Sequence, residues 1–245
     1  MSREPCIRWA GELALAGILQ WTLVAAHAEP AALGDGSEYE VRVAAVALGK
    51  PDLAHVRGSA FLIGPKGLMV TADHVLGDAP GDAANEIYVL RPTSPTMTIS
   101  KASVVKRFKT SDSTRDLAFL QMARESGAPD LPYFEIAENP QVGEEVFLLG
   151  YPLVFDRVYR WPLFRFGRVS SVKYFLKDSK VLVLDLTSAH GFSGAPVVRR
   201  ADGKVLAVQK GSATGNKEAN FSLGTVITTA DLPATPEADA GGIRK

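Results

Sequence analysis

The sequence is poor in residues that cross-link a chain or bind metals. Its 245 residues include one cysteine, Cys6, and four histidines. A single thiol cannot close an internal disulfide, and four histidines without clustered cysteines argue against a structural metal site. Neither charge is in excess, because 27 basic residues balance 27 acidic ones. Since nucleic acids and anionic lipids require a net basic surface, neither is expected as a partner. We also expect no metal and no cofactor.

Long hydrophobic runs are also missing. The apolar run at residues 13–26 has 14 residues, fewer than the ~18 expected of a membrane span. Basic Arg3 and Arg8 precede it, and the small-residue pattern Ala26-His27-Ala28 follows it. This order predicts that residues 1–28 are a secretory signal peptide. Export without disulfides suits a bacterial periplasm or exterior. The alternative is an uncleaved N-terminal membrane anchor; after cleavage we expect no stable membrane span.

The rest of the chain is dominated by short segments rich in β-branched and apolar residues, separated by turn residues. Such spacing, without long stretches of helical periodicity, predicts an all-β sandwich or barrel pair. In the first half the predicted strands are residues 39–48, 56–63, 68–71, 86–90, 99–108 and 117–122. In the second half they are residues 142–149, 166–174, 181–186, 195–198, 205–209 and 221–227.

Composition also predicts the domain boundaries. Residues 126–140 contain proline, glycine and serine, which is typical of a linker. They separate a first half, residues 29–125, from a second half, residues 141–232. Residues 233–245 have the composition of a disordered tail.

The segment Gly191-Phe192-Ser193-Gly194-Ala195-Pro196 is the most informative one for function. Acyl-bond hydrolysis through a covalent intermediate needs an exposed hydroxyl beside backbone amides that can hold an oxyanion. Glycines around a serine permit the tight loop that this arrangement requires. The same residue types also occur in an ordinary turn between strands. Ser193 is therefore a candidate nucleophile.

A base and a carboxylate for this serine occur in the first half. His74 follows a predicted strand, and a serine hydroxyl needs a base whose pKa is close to the working pH. Asp116 precedes an apolar strand, where it is either a turn residue or a carboxylate that orients an imidazole. Asp73 adjoins His74, but consecutive side chains diverge, and Asp112 is expected in a solvated loop. Asp116 is therefore the preferred partner of His74.

In this order the segments resemble a trypsin-like serine protease of the chymotrypsin fold, most closely its bacterial HtrA/Deg branch. The matching segments are residues 58–63, 71–76, 114–120, 143–152, 191–196 and 220–226. The resemblance implies two antiparallel six-stranded β-barrels with the active site in the cleft between them. It covers a protease domain alone, because the 17 residues after Thr228 are too few for the PDZ domain usual in that branch.

The resemblance implies an exported serine endopeptidase with a polypeptide substrate, unfolded proteins included. Ser193 would be the nucleophile, His74 the general base and Asp116 the group that stabilises the imidazolium. The backbone N–H groups of Gly191 and Ser193 would form the oxyanion hole. The alternative is a binding or sensor module of the same fold with weak or no hydrolysis. The sequence does not indicate an oligomeric state.

By position in the family, Thr187, His190 and Gln209 would contact the substrate. A pocket without a carboxylate argues against a preference for Lys or Arg, so we expect small or medium apolar side chains. Phe192 occupies the position where many members carry asparagine or aspartate. Activation by a new N-terminus that pairs with that carboxylate is therefore not expected.

Overall fold

A computed structural model describes residues 33–77, 86–93, 95–108, 115–154, 157–158, 160–176, 179–213 and 221–234. The predicted signal peptide and residues 235–245 of the predicted tail lie outside these ranges. The helices within the described ranges do not include one with the length and hydropathy of a membrane span.

The first barrel is closed by six antiparallel strands in the order β1-β2-β3-β6-β5-β4. These strands are β1 (Val43–Leu48), β2 (Val56–Leu62), β3 (Leu68–Thr71), β4 (Ile87–Thr93), β5 (Thr96–Phe108) and β6 (Leu117–Met122). β1 is buried along most of its length, because one of its faces points into the barrel and its other face packs against other segments of the protein. Its continuous apolar sequence follows from this double burial.

The second barrel is also closed by six antiparallel strands, in the order β10-β11-β14-β13-β12-β7. The six barrel strands are β7 (Glu145–Gly150), β10 (Leu163–Leu176), β11 (Ser179–Asp185), β12 (Pro196–Arg199), β13 (Val205–Ala213) and β14 (Phe221–Val226). A separate two-stranded sheet of β8 (Leu153–Val154) and β9 (Arg157–Val158) follows β7. The prediction of an all-β protein with two six-stranded barrels is therefore confirmed.

Three apolar clusters form the core, and the two-residue period of the strands assigns residues to them. Ala44 and Val46 of β1 belong to a cluster made of first-barrel residues, whereas Val43 and Ala45 face a second cluster. That second cluster also contains Phe147 and other residues of the second barrel, so it joins the two barrels. A third cluster lies within the second barrel. Alternation along each strand therefore builds the barrel interiors and the contact between the barrels.

The first strand begins later than predicted. Residues 39–42 were expected in the first strand, but Ser37–Glu40 form a helical turn, which begins after Gly36 with its left-handed φ of 74°. The turn lets the Tyr39 ring pack against Phe134 and Phe147. Phe134, in the predicted linker, is only 1% exposed. The helical turn and the predicted linker thus meet in an aromatic contact between Tyr39 and Phe134.

Candidate active site

His74 lies directly after β3, in the 3₁₀ turn Asp73–Leu76. Val75 and Leu76 are buried in the first-barrel cluster and anchor the turn. The His74 side chain remains 40% exposed. The apolar residues after His74 therefore fix its backbone, while its imidazole stays accessible from solvent.

Asp116 contacts His74 through both carboxylate oxygens. Its Oδ2 is 2.8 Å from His74 Nδ1, and its Oδ1 accepts the His74 backbone N–H at 2.9 Å. Asp116 has a positive φ of 51° and its side chain is 1% exposed. Two bonds to one residue fix the orientation of the imidazole, with Nε2 pointing away from the carboxylate.

The pKa of Asp116 is lowered. Burial on its own would raise this pKa, but the hydrogen bonds and charge of His74, together with the nearby Lys210 ammonium, outweigh burial. The carboxyl group is therefore ionised at neutral pH and can balance a positive charge on His74.

The rival carboxylates have other partners. Asp73 Oδ1 accepts a hydrogen bond from Arg107 Nε at 2.5 Å, and Asp112 lies outside the described residues. Asp52 lies 2.6 Å from the ring of another histidine, His55. Asp116 is thus the carboxylate that the structure places on His74.

Ser193 lies in the loop between β11 and β12, and its neighbours anchor that loop. Phe192 and Ala195 are fully buried in the second-barrel cluster. The Ala195 N–H donates to the Phe192 carbonyl at 2.8 Å, and the Gly194 N–H donates to the Gln209 carbonyl at 2.8 Å. The apolar Phe192 therefore holds the loop by packing.

Gly194 brings this loop against the segment that carries His74. It has a positive φ of 84°, and a Cβ there would lie 2.1 Å from the Ser59 carbonyl oxygen and 2.3 Å from Thr71 Oγ1. Only glycine fits at this position. The close approach puts the Ser193 loop beside Thr71 at the end of β3, two residues before the turn that holds His74.

Ser59 also connects the two halves, through hydrogen bonds, and sequence reasoning missed it. Its N–H donates to the Ser193 carbonyl at 2.8 Å, and its hydroxyl donates to the Gly191 carbonyl at 2.7 Å. The same hydroxyl accepts the Tyr151 N–H at 2.9 Å. A fully buried serine directly before the apolar run at residues 60–62 of β2 is the signal that could have found it, because buried hydroxyls need partners.

The backbone amides proposed for the oxyanion hole are the N–H groups of Gly191 and Ser193. Within the part of the chain that the structure describes, neither Gly191 nor Ser193 donates its N–H to a hydrogen-bond partner. Among the same residues, no hydrogen bond joins the Ser193 hydroxyl to His74. The structure thus brings Ser193 to the His74 segment through backbone contacts.

The three predicted substrate-contacting residues have different exposures. Thr187 and His190 are exposed, whereas Gln209 is fully buried and donates from Nε2 to the Gly211 carbonyl at 2.9 Å. The His190 backbone oxygen accepts the Leu153 N–H at 2.7 Å. Thr187 and His190 are therefore open to a ligand, and the Gln209 side chain lies beneath the surface.

The described residues contain no group of three or more His, Cys, Asp or Glu side chains that could hold a metal ion.

The comparisons with protein families and with solved structures both find protease domains. The family model for the trypsin-like peptidase domain matches residues 58–208. The fold is similar to the MamO protease domain from Magnetospirillum magneticum, with 24% identity and a TM-score of 0.59, over 76% of this chain and 92% of that one. It is also similar to the serine endoprotease from Yersinia pestis, with 21% identity and a TM-score of 0.56. That match covers 76% of this chain but only 59% of the Yersinia chain. No curated protein matches the sequence.

Proposed function

Because this chain belongs to the trypsin-like peptidase family, we propose that it is a serine endopeptidase with Ser193, His74 and Asp116 as its catalytic residues. The observation that carries the proposal is the pair of hydrogen bonds from His74 to the buried Asp116. They fix the imidazole on a segment that the Ser193 loop approaches, since Gly194 lies against Thr71 and Ser59 bonds to the loop.

The reaction proceeds by acyl transfer. Ser193 Oγ attacks the scissile carbonyl carbon while its proton passes to His74 Nε2, and Asp116 stabilises the imidazolium. The Gly191 and Ser193 amides hold the oxyanion, which typically lowers the barrier by about 3 kcal/mol for each donor. His74 then returns the proton to the leaving amine. Water attacks the acyl-enzyme by the same route and releases the acid.

We propose polypeptides, unfolded ones included, as substrates, with small or medium apolar side chains at the cleavage site. Thr187 and His190 are exposed and place no carboxylate where a Lys or Arg side chain would need one. Residues 1–28 support export to a periplasm or exterior, and the resemblance to the HtrA/Deg branch supports the same location.

The test is covalent labelling with a fluorophosphonate probe beside cleavage of an unfolded protein. We expect the wild type to label and to cleave, and Ser193→Ala to do neither while keeping its circular dichroism spectrum, because only the attacking oxygen is removed. His74→Ala should lower both signals by several orders of magnitude.

Ser188→Ala is the matched control, because it removes a hydroxyl from the same loop and should label like the wild type. Undiminished cleavage by Ser193→Ala would contradict the assignment of the nucleophile. A wild-type protein that neither labels nor cleaves would instead support a binding or sensor module of this fold.

A further inference from the structure

A lysine of the second barrel lies beside Asp116 of the first barrel. Lys210 Nζ is 3.9 Å from Asp116 Oδ2, the same oxygen that lies 2.8 Å from His74 Nδ1. The Lys210 side chain is 19% exposed and that of Asp116 is 1% exposed. Because both groups are largely removed from water, their attraction is screened less than that of a surface ion pair.

A β-bulge in β13 produces this placement. Gln209 pairs with Gly224 of β14 and Gly211 pairs with Leu223, so Lys210 is the extra residue between the two pairs. A bulge changes the direction of the side chains on its strand. Gln209 points into the buried interior and Lys210 reaches Asp116. The irregularity in the strand is thus located at the residue that contacts the Asp116 carboxylate.

We propose that Lys210 is a positioning residue for Asp116 and that, through this carboxylate, it sets the pH range in which His74 acts as a base. The inference rests on the proposed function as a serine endopeptidase. The ammonium attracts the carboxylate towards the second barrel and shares Oδ2 with His74. By offsetting part of the carboxylate charge, it also reduces the stabilisation that Asp116 gives to a positive charge on the imidazole.

Burial raises the pKa of Asp116, whereas the hydrogen bonds and charge of His74 and, after them, the charge of Lys210 lower it, so the net lowering agrees with this contact. Other charged groups around the site have partners on neighbouring elements. They are Arg115 with Asp231, Arg107 with Asp73, and Lys106, whose Nζ donates to the Asp231 backbone oxygen at 3.0 Å.

The first experiment compares Lys210→Met, which removes the charge but keeps the chain length, with Lys210→Arg, which keeps the charge. In Lys210→Met we expect the acid limb of the kcat/KM profile to move to higher pH by about half a unit, because the full charge of Asp116 then stabilises the imidazolium. Lys210→Arg should keep the wild-type limb. Lys204→Met, which removes a lysine paired with Glu135 at 2.7 Å, is the control and should also keep it.

A second measurement requires no hydrolysis. In a Ser193→Ala background, an NMR titration of the Asp116 carboxyl carbon, assigned with Asp116→Asn, should show a higher pKa of Asp116 after Lys210→Met but not after Lys210→Arg. An unchanged pKa in Lys210→Met overturns the inference. A raised pKa together with a wild-type protein that hydrolyses nothing supports the Lys210 contact and contradicts the proposed function.

Discussion

At the scale of single residues, the loop that carries Ser193 depends on atoms too close for larger side chains. Gly194 lies against the Ser59 carbonyl oxygen and Thr71 Oγ1. Both neighbours belong to buried strands and cannot move without shifting the first barrel. Gly127, by contrast, has a positive φ of 77° but open space around it. A comparison of substitutions at the two positions therefore separates the cost of a positive φ from the cost of steric overlap.

Gly194→Ala is expected to lower the free energy of unfolding by about 3–5 kcal/mol, because a buried overlap adds to the strain of a positive φ. Gly127→Ala, its control, should cost about 1 kcal/mol, from the positive φ alone. Urea denaturation of both variants measures the difference. Equal losses would show that the close approach between the Gly194 loop and the first barrel does not contribute to stability.

At the scale of elements, the C-terminal turn Thr229–Asp231 holds the residue before Asp116. Arg115 donates to Asp231 Oδ1, and Asp231 Oδ2 accepts from the Thr228 N–H and hydroxyl, both at 2.9 Å. The Asp231 side chain is 4% exposed. The end of the second half therefore fixes the position from which Asp116 reaches His74.

Asp231→Ala should lower the free energy of unfolding by about 2–3 kcal/mol, because it removes a helix cap and one partner of a partly buried ion pair. Asp202→Ala is the control: it breaks the more exposed pair with Arg199, at 2.7 Å, and should cost at most about 1 kcal/mol. Thermal and urea unfolding measure both effects. A loss in Asp231→Ala no larger than in Asp202→Ala would contradict a stabilising role for the turn.

At the scale of the whole molecule, one apolar cluster joins the two barrels. Phe134, on the connection between them, packs edge-on against Phe61 of the first barrel at a ring distance of 6.0 Å. It also stacks on Tyr39, whose ring contacts Phe147 of the second barrel. Since this cluster contains residues of both barrels, neither barrel can unfold without exposing apolar surface of the other.

We therefore expect the chain after residue 28 to unfold in one transition, and Phe134→Ala to lower its free energy of unfolding by about 3–5 kcal/mol. Tyr133→Ala, at a neighbouring side chain that is 40% exposed, is the control and should cost about 1 kcal/mol or less. Fluorescence of Trp161, the one tryptophan after residue 28, reports on the second barrel, and circular dichroism reports on both. Two separate transitions would refute the coupling.

The sequence by itself determined the all-β class, the number of barrel strands and the short motifs around His74, Asp116 and Ser193. These features are local, because alternation and turn residues act over a few neighbouring positions. The extent of some strands was not predictable: β13 continues to Ala213, since pairing with β14 extends it.

Only the tertiary structure decided which side chains surround these motifs. Ser59 and Lys210 reach the site from β2 and β13, and no sequence spacing relates them to Ser193 or Asp116. The bulge that places Lys210 depends on the register between two strands, and the turn at Tyr39 depends on rings from distant segments. Such contacts arise when the barrels close and pack together, because burial and pairing energies then outweigh local preferences.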